Sequence, residues 1–225
     1  VAGIAAASLN QYGIIGSNPV AKIIPVKIAS DTNSDAYVFD MFKGVEHAIL
    51  KGAKVVNLSY GGMREPNATE YQSYKELAKN YDALITMSAM NESEYVTDTG
   101  FSSYPSSYNL PNIVSVGSTD QYDYLSWFSN YGPAVDIFAP GSNIYSTYKE
   151  HDSSYVFLDG TSMAAPLVAG SISAYWARLP HLNYLEVREN LLASVTEYGK
   201  IDLYMLFYGV RPYDNNSSAI FEKSE

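Results

Sequence analysis

The 225-residue chain contains no cysteine, which excludes disulfides, thiolate nucleophiles and cysteine-ligated zinc. Histidine is almost as scarce: His47, His151 and His181 are the three imidazoles on which proton transfer could draw. Positive charge is short as well. Fourteen Lys and Arg stand against 24 Asp and Glu, for a formal net charge of −10. A nucleic-acid surface needs clustered cations that displace counterions from phosphate, and this balance argues against one. No apolar run approaches the roughly 18 residues that cross a bilayer, so no membrane span is expected. Three familiar chemistries are also missing: the Gly-x-Ser-x-Gly elbow, the His-Glu-x-x-His zinc helix and the Gly-x-x-x-x-Gly-Lys phosphate loop.

The chain does have a large apolar fraction, 47% of residues, enough for one domain to bury a substantial core. Twenty-one tyrosines suit amphipathic surfaces and grooves, because each ring pairs an apolar body with a polar tip. Short apolar runs alternate with helical patterns, which reads as α/β with a mostly parallel sheet. Ile23–Ile28, Val55–Leu58, Leu84–Met87, Ile113–Val116 and Val135–Phe138 are the expected strands. Val38, Phe42, Val45 and Ile49 recur at helical spacing after Asp35, a candidate cap, and Gly52 marks the end. Further helices are expected over about 70–80, after Ser162, and over about 184–193 with Asn183 as cap. Residues 1–208 read as the folded core and 209–225 as a polar tail that frays.

The most informative stretch is Gly160-Thr161-Ser162-Met163-Ala164-Ala165-Pro166. Glycine permits a sharp turn into a helix, and Ser162 then falls where unpaired N–H groups and the positive end of the helix dipole gather. That is a suitable place for a nucleophile beside an oxyanion. The simpler alternative is a Ser/Thr pair that caps a buried helix.

This stretch resembles the nucleophile motif of the subtilisin-like serine proteases, and five more segments resemble that family in the expected order. Val1–Ala7 is similar to the segment immediately after the family's His-Gly-Thr-His motif, and Val55–Gly62 to its substrate-binding strand. Ser88-Ala89-Met90-Asn91 is similar to its oxyanion asparagine segment. Phe128–Gly132 and Phe138–Gly141 match two further segments. The resemblance implies a three-layer α/β fold with a mostly parallel sheet flanked by helices, truncated at the N-terminus. The catalytic histidine and aspartate are expected upstream of residue 1.

The resemblance also assigns roles. Ser162 is the implied nucleophile, and Asn91 the side-chain donor to the oxyanion. Asn91 also opens a formal sequon, Asn91-Glu92-Ser93, so a turn or glycosylation role is the alternative. Ser59, Tyr60 and Gly61 would pair with the substrate backbone as an added strand. Ser88, Ala89 and Met90 would form the facing wall of the first pocket, and Ser103 its floor. Tyr104-Pro105 is a candidate cis bond. Met90 stands where the family usually has glycine, and a bulky side chain there narrows the pocket or alters the backbone approach. With Tyr60 beside it, the pocket reads as apolar, favouring aliphatic or aromatic residues before the scissile bond.

The loop Ser8–Gly16 is similar to the family's calcium loop. Calcium, as a structural ion, would take the carbonyls of Ser8, Tyr12 and Ile14 and the side chain of Asn10. Its remaining ligands, a carboxylate among them, would come from upstream. The partners implied are a polypeptide substrate and a pro-segment or inhibitor, and the location secreted or extracellular. His47 is expected to pack within its helix, and His151 is the histidine nearest Ser162 in sequence. Two functions remain open: a serine endopeptidase working through an acyl-enzyme on Ser162, or a catalytically inactive subtilase-like fragment or pseudoprotease that binds peptides.

Overall fold

Alternation along the central strands sends successive side chains to opposite faces of one sheet, and each face meets its own helical layer. The computed structural model describes residues 1–30, 36–151 and 153–210. The expected cap Asp35 and residues 211–225 of the tail lie outside them. In chain order, α1 (Ala2–Ala6) and α2 (Val38–Leu50) precede β1 (Val55–Leu58) and β2 (Gly62–Arg64). Helix α3 (Ala68–Asn80) leads to β3 (Leu84–Ser88), β4 (Ser102–Tyr104) and β5 (Ile113–Thr119). Strands β6 (Ile137–Pro140), β7 (Ile144–Thr147) and β8 (Tyr155–Leu158) come before α4 (Thr161–Arg178), α5 (Tyr184–Ala193) and α6 (Leu203–Tyr208).

The main sheet is parallel, in the order β1-β3-β5-β6. Leu84, Val114, Val116, Ile137 and Ala139 pack on one face against Ala165, Val168 and Ile172 of α4. Ile85, Met87 and Ile113 point the other way, toward Met41 and Val45 of α2 and Tyr74 and Leu77 of α3. Two helical layers around a sheet make the three-layer α/β fold. At about 1.5–3 kcal/mol for each large apolar side chain removed from water, these two clusters supply most of the stabilisation.

The helices end where their chemistry says they should. Asn67 caps α3 by accepting from Glu70 N at 3.0 Å. Asn183 and Glu186 close a reciprocal capping box on α5, each satisfying a donor that the helix leaves orphaned. Helix α1 lies close against α4, because Gly170 offers no side chain at the crossing. A Cβ there would stand 2.6 Å from Ala5 O.

One expected strand is absent. Residues 21–30 form no strand: Pro25 removes a ladder donor, and the segment stands across a cleft from β1 instead of pairing with it. Ile23 and Ile24 are 54% and 39% exposed. The cleft holds about 740 Å³, and its walls include Ile23, Val26, Ile28, Val55, Val56 and Pro166. Among the described residues β1 pairs with β3 alone, so its other edge faces this space. Strand β6 also begins two residues later than Val135, where the periodicity put it, and the β2/β4 and β7/β8 pairs were not anticipated.

Candidate active site

The carboxyl ends of β1 and β3 and the start of α4 meet at one edge of the sheet, the position where open α/β folds gather ligands. Gly160 turns the chain into α4 with φ 150° and ψ 154°, a conformation side chains resist. Its N–H donates to Gly141 O at 2.9 Å, which fixes the turn against the loop after β6. Ser162 is then the second residue of α4, half-buried, with its N–H among the first-turn donors that have no intrahelical acceptor.

Pro166 shapes this turn. It lies four residues after Ser162 and has no N–H to give, so the Ser162 carbonyl has no i+4 helical partner. That carbonyl accepts from Ser59 Oγ at 3.2 Å instead. In return Ser162 Oγ donates to Ser59 O, at a long 3.5 Å. Ser59 is itself held from behind: Asn57 Nδ2 donates to Ser59 Oγ at 3.0 Å, and Thr86 Oγ1 donates to Asn57 Oδ1 at 3.1 Å. A buried polar chain thus runs from β3 through β1 to the serine.

Asn91 is exposed, but its side chain is not loose. Its Oδ1 accepts from Thr161 N at 2.9 Å and from Thr161 Oγ1 at 3.0 Å. A backbone N–H can only donate, so the oxygen must face Thr161 and the Nδ2 group must face away. That leaves an amide donor beside the helix start, 3.7 Å from where a Cβ on Gly160 would sit. Two donors, Asn91 Nδ2 and the Ser162 N–H, therefore lie at the helix start that carries the Ser162 hydroxyl. The arrangement can stabilise negative charge on an oxygen bound next to that hydroxyl.

The loop that carries Asn91 is stapled by Asn130, which is fully buried. Asn130 Oδ1 accepts from Glu92 N and Glu94 N, both at 3.0 Å, and its own N–H donates to Met90 O at 3.2 Å.

Ser59, Tyr60 and Gly61 continue from β1 and are half-buried, while Ser88, Ala89 and Met90 end and follow β3 beside them. Ser88 and Ala89 are buried, and Ser88 Oγ has no partner among the described residues. Met90 is half-buried with φ 73°. Ser103 is fully buried on β4, its hydroxyl engaged by Ser107 Oγ at 3.0 Å and Ser106 Oγ at 3.3 Å. The Tyr104-Pro105 bond is cis.

Other expected residues lie apart from Ser162. His47, His151 and His181 are all exposed, so His47 does not pack inside its helix as expected. His151 Nδ1 is 3.4 Å from Ser153 Oγ, and Ser162 Oγ bonds to the Ser59 carbonyl, not to an imidazole. In the loop Ser8–Gly16, Ser8, Asn10 and Tyr12 are exposed and Ile14 is half-buried. Asn10 Oδ1 accepts from Tyr12 N at 2.8 Å, and the loop closes through Gly16 N to Ala7 O at 2.9 Å. Its oxygens are hard and neutral, which suits calcium, but the loop contains no carboxylate.

Sequence reasoning missed Thr161, Asn57, Thr86 and Asn130 as parts of the site. Thr161 stands between the turn glycine and the serine, and Asn57 and Asn130 fall within segments that resemble the family, but no role was read from them. The side-chain partners of Thr161, Thr86 and Asn130 are distant in sequence, so the contacts themselves could not be read from local pattern.

A parallel sheet with a serine at a helix start, an asparagine amide beside it and a strand-lined groove defines a subtilisin-like α/β scaffold. The Subtilase family profile matches residues 1–209, and this chain belongs to that family. It is 36% identical over 204 residues to Subtilisin Savinase from Lederbergia lenta, covering 91% of this chain and 71% of that protein. It is also 36% identical over 204 residues to an alkaline protease from Shouchella clausii, of which it spans half the length. Among solved structures, proteases from Pseudoalteromonas arctica superpose with a TM-score of 0.80 at 25% identity, over 92% of this chain and 69% of theirs.

Proposed function

We propose that the whole protein is a serine endopeptidase in which Ser162 attacks the peptide carbonyl and forms an acyl-enzyme. The observation that carries this reading is the pairing of Ser162 with Asn91: the Thr161 bonds to Asn91 Oδ1 turn its amide donor outward beside the serine. A serine hydroxyl needs a base to take its proton. The exposed histidines of this chain make no bond to Ser162, so the base and its orienting aspartate are assigned to a part of the protein outside these 225 residues. The unpaired edge of β1 and the apolar cleft beside it supply a seat for such a segment as an added strand.

In the reaction, Ser162 Oγ adds to the carbonyl carbon as its proton passes to that base. The developing oxyanion takes bonds from Asn91 Nδ2 and the Ser162 N–H. Collapse then breaks the C–N bond and sends the proton to the leaving amine. Substrate lies along Ser59–Gly61 as an added strand, with its side chain directed between Ser59–Gly61 and Ser88–Met90. Calcium at the Ser8–Gly16 loop, removal of a pro-segment and secretion of the whole protein belong to the same proposal. The comparison of native protein with a Ser162→Ala variant tests it. Peptide hydrolysis should fall to background in the variant, and undiminished hydrolysis would remove Ser162 from the reaction.

A further inference from the structure

Met90 holds a left-handed backbone conformation that residues with a Cβ rarely adopt. Its φ is 73°, its carbonyl is held by Asn130 N at 3.2 Å, and the preceding Ala89 N–H is held by Val116 O at 2.9 Å. The side chain is therefore aimed by a fixed backbone. Leu58 pairs with Met87, and continuing that register sets Gly61 opposite Met90 across the mouth between the two diverging segments. A Cβ on Gly61 would stand 3.5 Å from both Sδ and Cε of Met90, and 2.8 Å from Tyr104 O. The thioether tip thus lies close enough to Gly61 that a Cβ there would meet it in ordinary van der Waals contact, so the side chain reaches toward the facing segment.

We infer that Met90 sets the specificity of the groove by occupying its first side-chain pocket, so that the residue before the scissile bond must be small. This rests on the peptidase reading above and replaces the aliphatic or aromatic preference that the apolar lining alone suggests. The lining is apolar, but the space is already taken. Gly61 is the complementary half of the device, because a Cβ there would press on Tyr104 O and would bring the facing wall into contact with the Met90 tip. Methionine is flexible enough to fill such an irregular gap. Admitting a ring would require that side chain to swing away from Gly61.

The experiment measures binding rather than turnover, so that it stands apart from the catalytic assignment. Native protein carrying Ser162→Ala is titrated calorimetrically with two acetylated tetrapeptides, alike except for a C-terminal Ala or Phe. With Met90 in place the Ala peptide should bind at least about tenfold more tightly, the scale on which an apolar pocket discriminates by size. Met90→Gly suits the positive φ and should fold, and it should reverse that ranking. Met90→Leu keeps the bulk and should preserve it. Equal or tighter binding of the Phe peptide with Met90 present, or a ranking unmoved by Met90→Gly, would overturn the inference while leaving Ser162 as nucleophile untouched. Failure of both peptides to bind any variant would instead remove the peptide groove itself, and this inference with it.

Discussion

The residue that converts a capping serine into a candidate nucleophile is its neighbour, Thr161. Its N–H and hydroxyl both reach Asn91 Oδ1, and that pair of bonds decides which way the amide points. Thr161→Val keeps the N–H bond and the side-chain shape but removes the hydroxyl. Asn91 Oδ1 should then keep its orientation through the N–H bond alone, with one of its two anchors gone, and Nδ2 should be held less firmly. The predicted outcome is a lowered kcat with KM little changed, since the interaction strengthens in the transition state. Asn91→Leu should be the more severe variant. In subtilisin, removing the corresponding donor lowers turnover by about 10²–10³, and the expectation for Asn91 is taken from that case. A Thr161→Val loss approaching the Asn91→Leu loss would mean that the N–H bond alone cannot hold the amide in place. A rise in KM without loss of kcat would assign Thr161 to substrate binding instead.

At the scale of elements, loops do the positioning and strands carry the load. The Ser8–Gly16 loop packs beside the hairpin β7/β8, where Gly13, at φ 70°, leaves room for Tyr155. If calcium completes this loop, the ion binds the folded protein and not the unfolded chain, so it raises stability by mass action. A concentration of about a hundred times the dissociation constant should raise the melting midpoint of the native protein by about 5–10 °C. Excess chelator should restore the lower midpoint. A midpoint indifferent to both would remove calcium from the loop.

Most of these elements were legible in the sequence for local reasons. Helix α2 follows from Val38, Phe42, Val45 and Ile49, α5 from its Asn183 cap, and the buried strands from their short apolar runs. The failures are equally physical. Ile23–Ile28 has strand composition but no neighbouring strand to complete its ladder among the described residues, and composition cannot supply a partner. The short β2/β4 pair is fixed by tertiary contacts: Arg64 bonds Glu70 at 2.6 Å, and Tyr108 Oη donates to the same carboxylate at 2.7 Å. Burial, reinforced by that carboxylate, pushes the Tyr108 phenol up to about 12. Within the site, the Gly-Thr-Ser motif pointed to Ser162, whereas the bonds made by Thr86 and Asn130 run to residues about 30 or more positions away, which sequence pattern does not pair.

For the whole molecule, the architecture brings one serine, one amide and two facing strand ends to a single sheet edge, and leaves an apolar cleft along β1. The excess of acidic residues and the absence of cysteine restrict what else the surface can do, and the proposed chemistry rests on Ser162. The most direct measurement is to treat the native protein with a peptidyl phosphonate, which phosphonylates an activated serine, and to map the adduct by peptide mass spectrometry. The predicted result is one stoichiometric adduct on the peptide containing Gly160–Pro166, at Ser162, absent from the Ser162→Ala variant. A protein that cleaves peptides while its adduct forms at another residue, or while Ser162 stays unmodified, would contradict the assignment of Ser162 as nucleophile.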